Sequence, residues 1–245
     1  MNRFFVDKIE EKDKFIILND PGQLHHLRDV LRIKPLEKVA VFDNSGNECI
    51  TMVIEINSIQ ARLEVKERRF PKNSNLSLTV ACAIPKKVKM DDIVDKLTQL
   101  GVECIIPLET ERVIVKLDKQ KKIDRFQRWE KIALSAAKQS QGCRLTQIKP
   151  VSSLRDVLSA TEDFEIKLIP TLEGNRMSIK EIFSRDYKKS AKVIVLIGPE
   201  GDFTLDEVSS AKKSGFLPVT LGERVLRVDT AAIAIASFIK LNEIY

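Results

Sequence analysis

The stretch Val193–Thr204, VIVLIGPEGDFT, decides the fold. Five aliphatic residues run into Gly198-Pro199-Glu200-Gly201, and Asp202-Phe203-Thr204 leads into a helical pattern. An unbroken apolar run closed by glycine predicts a buried strand of a parallel sheet. Thr204 followed three residues later by Glu207 predicts a capping box at the start of the next helix. Strand, glycine turn and helix together form the place where open α/β sheets bind ligands, at the carboxyl end of a strand. Two phosphate-binding devices are excluded. None of the nine glycines forms Gly-x-Gly, so there is no dinucleotide fingerprint, and no Gly-x4-Gly-Lys-Ser/Thr exists for a P-loop.

A second turn of the same form follows. FLPVTLGERVLRVDTAA, residues 216–232, runs from a strand through Gly222 into the final helix. Two such turns can line one cleft with backbone N–H and C=O groups. That lining suits a ligand with an adenine and polar tails but no phosphates.

Outward from these turns, strands and helices alternate. LSLTVACAIP (76–85), VECIIPL (102–108), FEIKLIP (164–170) and KVIVLIG (192–198) read as strands. KMDDIVDKLTQLG (89–101) is an amphipathic helix with Met90, Ile93, Val94, Leu97 and Leu100 inward and Gly101 closing it. A long helix covers about 120–140, and Asp229 opens the last helix, as its N-cap or as a base. This pattern predicts an α/β domain with a mostly parallel sheet over residues 73–245. Residues 1–72 differ. RFFV, KFIIL, EKVAVFD, ECITMVIEI and QARLEV read as strands, with NSGN as a hairpin turn. DPGQLHHLRDVLR (20–32) is a short helix, with Asp20 as N-cap, Pro21 in the first turn, and Leu24, Leu27 and Leu31 on one face. KERRFPKNSN (66–75) is the expected linker.

Hydrophobic residues make up 43% of the 245 and charged residues 31%, as in a soluble globular protein. The longest apolar run, AAIAIA at 231–236, is too short for a membrane span, and the first residues lack a signal-peptide core. A cytosolic protein is expected. Cys49, Cys82, Cys104 and Cys143 have no metal-knuckle or redox spacing, which predicts buried free thiols and no metal site. The net charge of +6 is uneven: residues 73–151 carry 15 basic and 9 acidic side chains, while the segments on either side are close to neutral. An anionic partner, nucleic acid, fits that distribution, as does a solvated basic face.

LIGPEGDFTLDEV (196–208) followed by LGERVLRVDTAAIAIAS (221–237) resembles the SPOUT, or α/β-knot, methyltransferases. It is most similar to those that methylate N3 of a uridine in 16S, small-subunit ribosomal RNA. RFFV with HHLRDVLRIK resembles their PUA-like RNA-binding barrel, and KMDDIVDKLTQLGV and RWEKIALSAAKQSQGCR their catalytic-domain helices. The chain departs from the pattern at Asp202, where a second glycine is usual, at Asp229 in place of a glutamate, and around QSQGCR. The resemblance implies a C-terminal trefoil knot, a homodimer that completes the site, and S-adenosyl-L-methionine as methyl donor. The implied cofactor set is Thr171 and Leu172, Ile197, Gly198, Pro199 and Gly201, and Leu221, Gly222, Val225 and Leu226. The small-residue face Ala231, Ala232, Ala234 and Ala236 would permit the close packing of a knot or dimer seam.

Methyl transfer from a sulfonium requires alignment of donor and acceptor, and uracil N3 must lose its proton. The resulting negative charge spreads over two carbonyl oxygens, which calls for a fixed cation. Arg227 is the first candidate, its structural alternative being an ion pair with Asp229 or Glu223. Glu200 is the second, binding ligand or capping the next helix. Lys121, Lys122, Arg125, Arg128, Lys131 and Lys138 on the long helix, with Arg144, are candidates to neutralise RNA phosphates, and Arg28 and Arg32 would add grip from the N-terminal domain. His25 and His26 are neighbours that share no helix face, so they suit packing or RNA contact better than a metal. A ribose 2′-O-methyltransferase of the same fold and a non-catalytic RNA-binding assembly factor are the alternative functions.

Overall fold

The computed structural model describes residues 1–69, 76–86, 89–113, 117–140, 142, 144–184 and 191–242. The chain forms two compact units, Met1–Asn73 with Ala137–Leu145, and Ser74–Ala136 with Thr146–Tyr245.

The first unit holds β1 (Arg3–Phe5), β2 (Phe15–Leu18), α1 (Pro21–His25), β3 (Lys38–Phe42), β4 (Glu48–Ile56) and β5 (Ala61–Arg69). Its sheet runs β1-β3-β4-β5-β2, with β1 parallel to β3 and the other pairs antiparallel. Phe4, Leu18, Leu27, Val39, Val41, Val53 and Leu63 form its core. Asp20 caps α1 by accepting from the Gln23 N–H at 2.8 Å, as expected. The helix does not continue as expected: over His26–Val30 it widens to a π turn, with Leu31 N–H donating to the His26 carbonyl at 2.9 Å. Leu24 and Leu27 stay buried, and Leu31 packs at the core's margin. Arg3 ties the distant segment 137–145 into this unit. It pairs with Glu48, both side chains nearly buried, and donates to the Gly142 carbonyl at 3.0 Å. Residues 66–69 of the expected linker continue β5 instead, and 70–75 lie outside the described residues.

The second unit begins with β6 (Leu76–Ala83), α2 (Lys89–Gln99), β7 (Cys104–Glu109), α3 (Lys119–Gln139), β8 (Gln147–Ile148), β9 (Ser152–Ser153) and α4 (Leu154–Ser159). It continues with β10 (Ile166–Pro170), β11 (Met177–Ser178), α5 (Ile179–Ser184), β12 (Ala191–Ile197), α6 (Leu205–Lys213), β13 (Leu217–Thr220) and α7 (Val228–Asn242). The sheet order is β11-β13-β10-β12-β6-β7-β8, with β9 also on β7, and every pairing is parallel. β12 lies beside β6 in an unbroken register from Ala191↔Leu76 to Ile197↔Cys82. Both strands are almost wholly buried, which explains their continuous apolar sequence. In α2, Met90, Ile93, Val94 and Leu97 are buried while Leu100 is half-buried. The expected alanine face of α7 splits. Ala232 and Ala236 are in the core with Ile235 and Ile239, Ala231 is half-buried, and Ala234 is exposed. Among the described residues no helix is long and apolar enough to cross a membrane.

Candidate active site

β10, β12 and β13 end side by side, and the segment after each forms one wall of an open cleft. After β10 come Thr171 and Leu172; after β12, Gly198, Pro199, Glu200 and Asp202; after β13, Leu221, Gly222, Arg224, Val225 and Leu226. Ile197, Val228, Ala231 and Arg176 also line it. Leu172 and Val225 are 51% and 72% exposed, so the cleft has apolar lips with nothing packed against them.

The wall after β12 is held by packing. A Cβ at Gly198 would lie 3.0 Å from the ring of Phe203, which is buried, so any larger residue must press that ring aside. Asp202 has φ +58, a left-handed conformation that Asp tolerates better than most residues. α6 starts with the expected capping box between Thr204 and Glu207. Thr204 and Glu207 do the capping that Glu200 was offered for. The Glu200 carboxylate accepts instead from the Lys86 N–H at 3.2 Å. Gly201 lies outside the lining, its carbonyl accepting from Arg112 at 2.8 Å.

The wall after β13 is held by few bonds. Gly222 has φ +125 with open space around it, and Thr220 Oγ1 donates to the Gly222 carbonyl at 2.9 Å. Arg227 is exposed at the end of this loop, next to the cleft residues Leu226 and Val228 but not itself in the lining. Its guanidinium makes no hydrogen bond or ion pair with a described residue, so the expected partnership with Asp229 or Glu223 does not form. Asp229 lies inside the first turn of α7 rather than ahead of it, and pairs with Lys89 at 3.2 Å. Burial alone would raise its carboxyl, but the Lys89 ammonium and the backbone N–H groups of Asp229 and Thr230 outweigh that and hold it below the ordinary carboxylate range. Asp229 is therefore poorly suited to act as a base.

The expected RNA cations are less free than their count suggests. Lys121 pairs with Asp118, Lys122 with Glu109 at 2.8 Å, and Arg128 with Asp91, which also accepts from the buried Trp129 indole at 3.0 Å. Lys138 sits 5.9 Å from the Phe4 ring centroid, and burial pushes its ammonium below the ordinary value. Arg125 and Lys131 make no ion pair with a described residue, and Arg144 is exposed. In the first unit Arg28 is bound to Asp29, holding that carboxyl down to about 2, while Arg32 is exposed. His25 also meets Asp29, at 2.7 Å, and His26 packs near Phe4. Cys49 and Cys82 are buried free thiols, Cys104 is half-buried, and Cys143 lies outside the described residues.

Arg176, Arg224, Asp202 and Val228 were not predicted as lining. Arg176 follows the TLEG stretch after β10, a third strand-to-glycine turn, which leads into the short strand β11 and only then into α5.

The fold and cleft define a ligand-binding parallel α/β domain joined to a β-rich module. Residues 72–240 match the model of an RNA methyltransferase domain, and residues 18–66 that of an RNA methyltransferase PUA domain. The chain is 33% identical over 236 residues to the ribosomal RNA small subunit methyltransferase E of Mesomycoplasma hyopneumoniae, covering 95% of this chain and 96% of that one. It is 27% identical to its namesake from Bacillus subtilis over 95% of this chain and 93% of the other. A crystal structure of the Neisseria gonorrhoeae enzyme of that name, bound to S-adenosyl methionine, superposes with a TM-score of 0.85 at 29% identity, covering 98% of this chain and 97% of that chain. The chain belongs to the RNA methyltransferase family that these enzymes represent.

Proposed function

We propose that the protein transfers a methyl group from S-adenosyl-L-methionine to N3 of a uridine in 16S ribosomal RNA. The observation that carries this reading is the three-walled cleft at the carboxyl ends of β10, β12 and β13, in a chain of that family. The cleft fits the donor chemically. Its apolar lips suit an adenine and a thioether-like chain, backbone groups of Gly198 and Gly222 suit polar edges, and no phosphate cradle is built into it.

When bound, the donor supplies a methyl group already activated by its sulfonium. The protein's task is to align that carbon with N3 and to stabilise the charge left on the uracil oxygens. Arg227 serves the second role: it is permanently charged, unpaired among the described residues and beside the cleft. Glu200 lines the cleft and orients a ligand donor group. Thr171, Leu172, Ile197, Gly198, Pro199, Leu221, Gly222, Val225 and Leu226 hold the donor, with Gly201 shaping the turn from outside the lining. Arg32, Arg125 and Arg144 meet RNA phosphates directly. Arg28, Lys122 and Arg128 do so by exchanging their carboxylate partners. A knotted C-terminal path and a homodimer seated on the exposed Ala234 side of α7 complete the proposal.

Incubation with isotope-labelled donor and small ribosomal subunits, followed by nucleoside mass spectrometry, tests it. The expected product is N3-methyluridine. A 2′-O-methyl nucleoside would overturn the assignment of the base, and no calorimetric binding of S-adenosyl-L-methionine would overturn the enzyme.

A further inference from the structure

Asp202 lies where two walls of the cleft meet, and its carboxylate is bonded across the join. One oxygen accepts from the Thr171 hydroxyl at 3.0 Å and from the Leu172 N–H at 2.8 Å. The other accepts from the Phe203 N–H at 2.8 Å. Its own N–H donates to the Pro199 carbonyl at 3.0 Å, closing the turn. Thr171 is buried and its hydroxyl also accepts from Glu173 N–H at 3.2 Å, so the clamp reaches into the segment after β10. Among the described residues, no other polar contact joins that turn to Thr171 or Leu172. Charge-assisted bonds of this kind are stronger than neutral ones, and a group that makes three of them across two loops fixes their separation.

We propose that Asp202 is a positioning residue that sets the width of the donor site by clamping the turn after β12 to the segment after β10. This rests on the reading that the cleft binds S-adenosyl-L-methionine. The clamp shapes both walls, so its loss weakens binding of the net-neutral product, S-adenosylhomocysteine, as well as of the cationic donor. The carboxylate keeps its charge while bonded, so loss of that charge adds a further penalty for the donor alone.

The discriminating variant is Asp202→Gly. Glycine adopts φ +58 without strain, so the backbone of the turn is spared and only the carboxylate is lost. Calorimetry should show affinity for the product weakened about 10-fold, as expected when hydrogen bonds to a charged group are removed from a binding wall, and affinity for the donor weakened at least as much. Turnover should respond chiefly through a raised KM for the donor. Asp202→Asn, which keeps one acceptor and tolerates the same φ, should recover part of the loss. Thr171→Val should reproduce the effect and add little to it in the double variant, which serves equally well should Asp202→Gly fail to fold. Unchanged affinity in a folded Asp202→Gly protein, or a loss confined to the sulfonium ligand, would overturn the clamp. Failure of the unaltered protein to bind the donor would instead overturn the functional reading on which the clamp rests.

Discussion

The turn after β12 and the loop after β13 have the same form in the sequence: strand, glycine, helix. They keep their shapes by opposite means. In the first, a Cβ at Gly198 would press on the buried Phe203 ring, 3.0 Å away. Asp202 and the Thr204–Glu207 capping box then fix every residue up to α6. In the second, a Cβ at Gly222 would meet nothing within 4 Å, and the position is glycine for its φ of +125 alone. Glu223, Arg224 and Val225 after it are exposed. One wall of the cleft is built and the other is left to be completed by what binds. Substitutions that crowd the packing of the first, as at Gly198, should therefore cost stability, and those in the second should cost function without it.

The largest effect is expected at Gly222. Valine cannot hold φ +125 without strain, so Gly222→Val must swing the loop from its course along the cleft. Because the surroundings are open, the fold should survive while calorimetric binding of S-adenosyl-L-methionine is lost. Undiminished affinity in a folded variant would make both walls alike. Next comes Arg227→Ala, also in the open loop. Loss of one preorganised electrostatic group predicts a fall of about 10²–10³-fold in single-turnover rate, with cofactor affinity and melting temperature nearly unchanged. Arg227→Lys should recover only part of the rate, since an ammonium lacks the planar fork. Near-normal turnover would remove Arg227 from the chemistry.

Gly198→Ala probes the built wall. The added methyl group must push into the buried Phe203 ring, an overpacking that costs about 1–3 kcal/mol. Thermal or denaturant melts should show this loss before any ligand is added. A variant that melts normally and binds poorly would reverse the contrast between the two regions.

Much of this was legible in the sequence, and the reasons differ by element. The apolar runs of β6 and β12 announce burial on both faces, and Thr204 with Glu207 announces its own helix start. Thr171, Leu172, Gly198 and Gly222 met in one cleft because parallel strands deliver their loops to the same edge. What was hidden is partnership over long sequence distances. Nothing local marks Lys89 as the partner of Asp229, 140 residues away, or Asp91 as the acceptor for Trp129 and Arg128. The long helix consequently read as a free basic face, although half of its cations are paired. Asp202 was visible only as a departure from a glycine; its bonds to Thr171 and Leu172 needed the fold.

The smallest effect concerns how the open loop is anchored. Its far end enters α7, where Asp229 pairs with Lys89 at the start of α2. Both side chains are about one-third exposed, so solvent screens the pair and its worth is about 0.5 kcal/mol. The Asp229 carboxyl is depressed in the folded protein, so folding favours its ionised form. The stabilisation is therefore present above the unfolded carboxyl value, near 3.9, and is lost as pH falls through the lower folded value. Lys89→Met should lower stability slightly at pH 7, and the difference from the unaltered protein should shrink as pH falls below the unfolded carboxyl value and vanish once Asp229 is protonated in the folded protein too. High salt at pH 7 should shrink it as well. Denaturant melts across pH measure this directly. A difference that persists unchanged in acid would mean that Lys89 holds the loop through packing of its aliphatic stem, and that the open wall is anchored by the same means as the closed one.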